Sequence, residues 1–172
     1  IGSRDPGIRF RPPNRIPLRR NWKALAPRLA VAGLALAGLT ALLWSELFFR
    51  FPREQTRIWV LVMVLYPLLS VAPQEYLFRT YFFQRYRPLF GDGRGMLIAN
   101  AVAFAWAHVF FLNWVAPLLS LIAGLLLALT WRRTRDFLTV CFEHAVYGQL
   151  VFTTGAGWFF YTGSIQAVES LP

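Results

Sequence analysis

The stretch 72-APQEYLFRTYFFQRYR-87 sets Gln74, Glu75 and Arg79 inside an otherwise apolar, aromatic run. A carboxylate and a guanidinium in apolar surroundings are costly unless they pair or act on something, so they mark a candidate functional site. Glu75 and Arg79 stand four apart, which on a helix puts them on one face and within pairing distance. Such a pair serves equally well as a staple inside a helix bundle. The other polar residues have to distinguish the two.

Of the 172 residues, 56% are hydrophobic, 17% aromatic and only 15% charged; soluble domains average roughly 45–50% apolar. The composition implies an integral membrane protein, all-α, folded as one polytopic transmembrane bundle of about five or six helices at roughly 20 residues each. The first apolar run, 29-LAVAGLALAGLTALLWSELFF-49, carries Gly33, Ala37, Gly38 and Ala41 as a close-packing face. The second extends from Ile58 to Arg85, roughly 42 Å as a helix and longer than the hydrocarbon core. Pro67 and Pro73 predict a kink or a break there, with the polar motif starting at a Pro73 turn whose irregular backbone admits water. A third run spans Met96 to Leu112, a fourth is 118-LLSLIAGLLLALTW-131, and the last spans Phe137 to Tyr161. Trp22, Trp44, Trp114 and Trp131 read as interface anchors. The expected organisation is a basic, Pro-rich cytoplasmic tail over 1–28, one bundle over 29–161 and a short polar tail over 162–172.

The net charge of +10 is concentrated before the first span, at Arg4, Arg9, Arg11, Arg15, Arg19, Arg20, Lys23 and Arg28. Interleaved with prolines and followed by a membrane span, these charges suit anionic headgroups of the lipid bilayer, at about 1 kcal/mol each, and argue against nucleic acid as a partner. The segments at 85–95 and 131–136 are basic too, which places them and the N-terminus on the cytoplasmic side; residues 50–57 are the one discordant loop. Cys141 stands alone in an apolar run and reads as a small buried hydrophobe.

The two histidines, His108 and His144, both fall inside apolar runs, and Glu143 and Gln149 flank the second. Phe104 stands one helical turn before His108, so its ring can wall the imidazole. A Gln/Glu pair on one span and a histidine on each of two others form a general-base-plus-electrophile constellation suited to amide hydrolysis. The same donors admit a zinc site at Glu75, His108 and His144, but no inverted repeat supports a transporter.

The order 74-QEYLFR-79, 104-FAWAH-108 and 143-EHAVYGQ-149, on successive apolar segments, resembles the CAAX-protease and bacteriocin-processing (CPBP, or ABI) intramembrane endopeptidases over roughly residues 60–160. Their pattern is Glu-Glu-x-x-x-Arg, Phe-x-x-x-His, then a histidine followed on the same helix by Asn or Asp. The resemblance implies a bacterial inner-membrane enzyme that cleaves a membrane-associated peptide, with or without zinc. In that family the first glutamate activates water with the second-motif histidine, and the third-motif histidine and its amide partner stabilise the oxyanion. Glu75, Arg79, Phe104, His108 and His144 match. Gln74 stands where the catalytic glutamate is expected, and an amide cannot take a proton from water near neutral pH. Gly148 stands where the amide partner is expected, with Gln149 one residue on and turned by about 100°. Two readings follow: a native pseudoprotease that binds a partner membrane protein, or a glutamate protease inactivated by a carboxylate-to-amide change.

Overall fold

The computed structural model describes residues 18–160. Most of the expected basic tail and the whole polar tail at 162–172 lie outside the described residues. Among the described residues there is no strand. The chain belongs to the all-α polytopic class, with four stretches long and apolar enough to cross a membrane: Asn21–Leu43, Thr56–Phe90, Arg94–Phe111 and Val115–Thr134.

The first helix, α1 (Leu18–Leu43), begins eleven residues before the predicted apolar run at Leu29 and carries Pro27 within it. Arg28 is therefore a helix residue, not the end of a tail. Its guanidinium lies 2.6 Å from the buried Glu143 carboxylate and donates at 2.6 Å to Thr130. Asn21 donates to Thr139, and Leu25 and Leu29 pack against Leu127 and Tyr147. The small-residue face is only partly used: Gly33 meets Leu150, whereas Gly38 faces open space.

After a 3-10 turn at Ser45–Leu47 and the short α2 (Arg50–Glu54), the chain runs as one helix from Thr56 to Phe90. The α-helical parts α3 (Thr56–Tyr66), α4 (Ala72–Glu75) and α5 (Phe82–Phe90) are joined by π-helical segments at Pro67–Val71 and Tyr76–Tyr81. Of the two expected alternatives, a kink or a break, the chain keeps one long helix and the turn at Pro73 does not form. Widened turns around the two prolines accommodate them without interrupting the helix, so the polar motif sits on continuous helix. Irregular backbone does reach the cavity, but elsewhere: His108 and Phe111 border it from the turn that follows Trp106.

The helices α6 (Arg94–Trp106) and α7 (Val115–Thr134) approach so closely that a Cβ on Gly124 would sit 3.2 Å from the Ala101 Cα. α6 stops at Trp106, short of the predicted Leu112, and a 3-10 turn at Val109–Phe111 follows. Asn113 then caps α7 by accepting from the Ala116 amide at 2.9 Å, and donates to the Phe159 carbonyl. Trp131, read as an interface anchor, instead belongs to a buried cluster with Phe83, Met96 and Val140.

The last helix, α8 (Phe137–Thr154), starts at Asp136, whose carboxylate accepts from the Thr139 amide and hydroxyl. It packs on α1, α7 and the long helix. It ends at Gly155, at φ 109°, where any side chain would be strained and a Cβ would overlap the Leu47 carbonyl. At the opposite end, Asp92 binds Arg87 at 2.7 Å and Arg135 at 2.8 Å, tying the 91–93 turn to the α7–α8 corner.

Two predictions follow from these contacts. Replacing Arg28 alone, as Arg28→Met, strands the buried Glu143 carboxylate and costs about 3 kcal/mol; adding Glu143→Gln restores most of it, as read by thermal unfolding in detergent micelles. The Arg135 hydrogen bond, with the charges of Arg135 and Arg87, holds the Asp92 carboxyl below its ordinary range. The unfolded chain therefore binds that proton more readily. The contribution is complete above the unfolded value of about 3.9 and is lost as pH falls through the lower folded one. The Tm difference between wild type and Asp92→Asn accordingly narrows in acid.

Candidate active site

Glu75 and Arg79 are fully buried side by side on the long helix. Arg79 Nε lies 3.2 Å from Glu75 Oε2, an ion pair too oblique to count as a directed hydrogen bond. The guanidinium is held from two further sides. It donates at 2.6 Å to Asn100 on α6, which in turn donates at 2.6 Å to the Phe78 carbonyl within the second π-helical segment. Its Cζ also stands 5.0 Å from the centre of the Phe104 ring, a cation–π distance.

The other Glu75 oxygen faces α8. His144 Nδ1 lies 2.7 Å from Glu75 Oε1. Paired with Arg79 through one oxygen, the carboxylate accepts on the other, and the proton on that bond is Nδ1–H. His144 Nε2 is left with its lone pair, 3.2 Å from the hydroxyl of Tyr66. His108 is arranged in the same sense: its Nδ1 donates at 2.7 Å to the Phe104 carbonyl one turn back, which leaves Nε2 free. The Phe104 ring stands between the imidazoles, 4.7 Å from His108 and 5.5 Å from His144 between centres. The predicted role of Phe104 as an aromatic wall is thus met on both sides.

Around these groups lies a cavity of about 200 Å³, bordered by Tyr66, Ser70, Gln74, Phe104, His108 and His144. Gln74 Nε2 donates at 2.8 Å to Ser70. Its Oε1 is buried with no partner. A larger hollow of about 340 Å³, among Leu47, Arg50, Phe51 and Trp158, contains neither histidine nor a buried carboxylate. The smaller cavity is the chemically equipped one.

The six residues singled out in the sequence, Gln74, Glu75, Arg79, Phe104, His108 and His144, come together here. Two others do not. Glu143 faces α1, bonded to Arg28 and Tyr147, because adjacent helix residues point about 100° apart. Gln149 donates at 2.9 Å to the Met63 carbonyl and leaves the cavity without an amide from α8. Tyr66, Ser70 and Asn100 belong to the site and were not singled out. Asn100 was the findable one, as a lone amide inside the third apolar run. Among the described residues, no three His, Cys, Asp or Glu side chains gather as a metal site. Glu75 is engaged by His144 and Arg79, so Glu75, His108 and His144 do not fit a zinc ion as they stand.

No curated protein and no solved structure matches the chain. Residues 56–150, more than half of the chain, match the family described as Rce1-like, type II CAAX prenyl endopeptidase Rce1-like. That segment runs from the start of the long helix into α8 and contains every residue of the constellation. The chain is an integral membrane protein that belongs to the Rce1-like family of type II CAAX prenyl endopeptidases.

Proposed function

We propose that the cavity receives a peptide bond of a membrane-associated substrate and that this chain, as it stands, cleaves it very slowly or not at all. The observation that carries this reading is the state of the two first-motif side chains. Gln74 borders the cavity but is an amide, bonded to Ser70, and has no lone pair basic enough to activate water. Glu75 is a carboxylate but is turned away, held between His144 and Arg79. Its part is to orient His144, and that of Arg79 is to hold Glu75. His108, with Nε2 free and its ring against Phe104, shares the water or its proton.

A cavity that keeps donors and acceptors but lacks the base also suits a binding subunit. In that variant a segment of a partner membrane protein is held uncut, with the unpartnered Gln74 Oε1 accepting one of its N–H groups. The basic ends at 85–95 and 131–136 favour an orientation with the N-terminus on the cytoplasmic side, in a bacterial inner membrane.

The family description names prenylated CAAX peptides, and these are the first substrates to offer. In proteoliposomes, quenched-fluorescent CAAX peptides, prenylated and unprenylated, are expected to stay intact with the wild-type chain. Gln74→Glu is expected to raise cleavage by about 100-fold, the lower range of general-base contributions. Cleavage by wild type that Gln74→Glu does not accelerate would overturn the assignment. For the binding variant, a partner that co-purifies and stays bound to His108→Ala is the expected result.

A further inference from the structure

We infer that Tyr66 is a catalytic residue of this site, an oxyanion donor that supplies from the long helix the polar group α8 lacks at Gly148. The inference rests on the reading of the cavity as a peptide site, and Tyr66 itself lies outside the three sequence motifs.

The first observation is steric. A Cβ built on Gly148 would overlap the Tyr66 ring and hydroxyl. The phenol occupies the space where a side chain one turn beyond His144 would project. Glycine at 148 and tyrosine at 66 are thus one arrangement, each requiring the other. The second observation is polar. The Tyr66 hydroxyl ends 3.2 Å from His144 Nε2, at the edge of the cavity that Tyr66, Gly148 and Gln74 share. The ring is held by edge contacts to Phe152, at 5.3 Å between centres, and to His144, at 6.2 Å. The hydroxyl is therefore aimed by packing and not by chance rotation.

The consequence for chemistry follows from proton placement. With His144 Nδ1–H on Glu75, the Tyr66 hydroxyl donates to the Nε2 lone pair. When Nε2 takes a proton, the bond reverses: Nε2–H donates to the phenol oxygen, and the phenol hydrogen is released to bond an oxygen in the cavity. Glu75, His144 and Tyr66 form a three-part relay that offers a donor to a bound carbonyl only when His144 is charged. No proton leaves Tyr66 in this step; a hydrogen bond changes direction.

With only two histidines in the chain, imidazole ¹⁵N spectra of the labelled protein in micelles resolve each ring without a ligand. Tyr66→Phe keeps the ring and removes the hydroxyl. It is expected to shift His144 Nε2 towards an unbonded imidazole nitrogen and to leave His108 unmoved. Gly148→Asn alone displaces the phenol and produces a similar loss of the Tyr66 bond. An unchanged His144 Nε2 signal in Tyr66→Phe overturns the inference whatever any peptidase assay shows. In the Gln74→Glu background, Tyr66→Phe is expected to lower kcat by about 100-fold with little change in KM, the cost of one oxyanion donor. Tyr66→Ala with Gly148→Asn recovers part of it. A cleaving Gln74→Glu protein whose kcat is indifferent to Tyr66→Phe also overturns the inference. A Gln74→Glu protein that does not cleave counts against the peptidase reading instead and leaves the spectra to decide on Tyr66.

Discussion

The buried Glu75 carboxylate organises the middle of this protein. One oxygen faces Arg79 on its own helix, the other bonds His144 on α8, and Arg79 passes the tie to Asn100 on α6. Three helices are tied through a single anion, and the Gln149–Met63 and Tyr66–His144 bonds add to the tie between the long helix and α8. An unpaired carboxylate in such a place is prohibitive, and so is an unpaired guanidinium. Each partner is needed because the other is there. The second π-helical segment belongs to the same arrangement, since the Phe78 carbonyl within it receives the Asn100 amide.

α8 carries two polar centres back to back. Glu143 turns to α1 and meets Arg28, Tyr147 and, through Arg28, Thr130. His144, one residue later and about 100° around the helix, turns to the long helix and meets Glu75 and Tyr66. Tyr147 both donates to Glu143 and borders the cavity, so the α1 contact reaches the cavity wall through one side chain. The polar load of α8 is tolerated because the neighbouring helices cover it and supply partners within the bundle.

Gln74 stands at the cavity wall as an amide, bonded to Ser70 one turn earlier. Gly148 carries no side chain, and the Tyr66 phenol lies from another helix in the space one would take. The site therefore retains an acid-held imidazole, a second imidazole and an aromatic divider between them. What it lacks is a carboxylate free to face the cavity.

Helical class and membrane residence were legible from composition, and Gln74, Glu75, Arg79, His108 and His144 stood out as polar residues interrupting apolar runs, because water and lipid sort side chains by rules that act residue by residue; Phe104 was singled out only by its spacing to His108 and the motif resemblance. The Glu75–Arg79 pairing was legible for the same local reason, a four-residue spacing on one helix. The continuity of the long helix through Pro67 and Pro73 was not, since the choice between a break and a widened turn depends on what packs against it. Nor was the fate of Arg28, which resembles a tail charge until Glu143 is placed opposite. Tyr66 and Gly148 lie 82 positions apart by their numbers, and neither stands out alone in so aromatic a chain. Only tertiary structure sets one against the other, because occupancy of space is a property of the packed bundle and not of any segment within it.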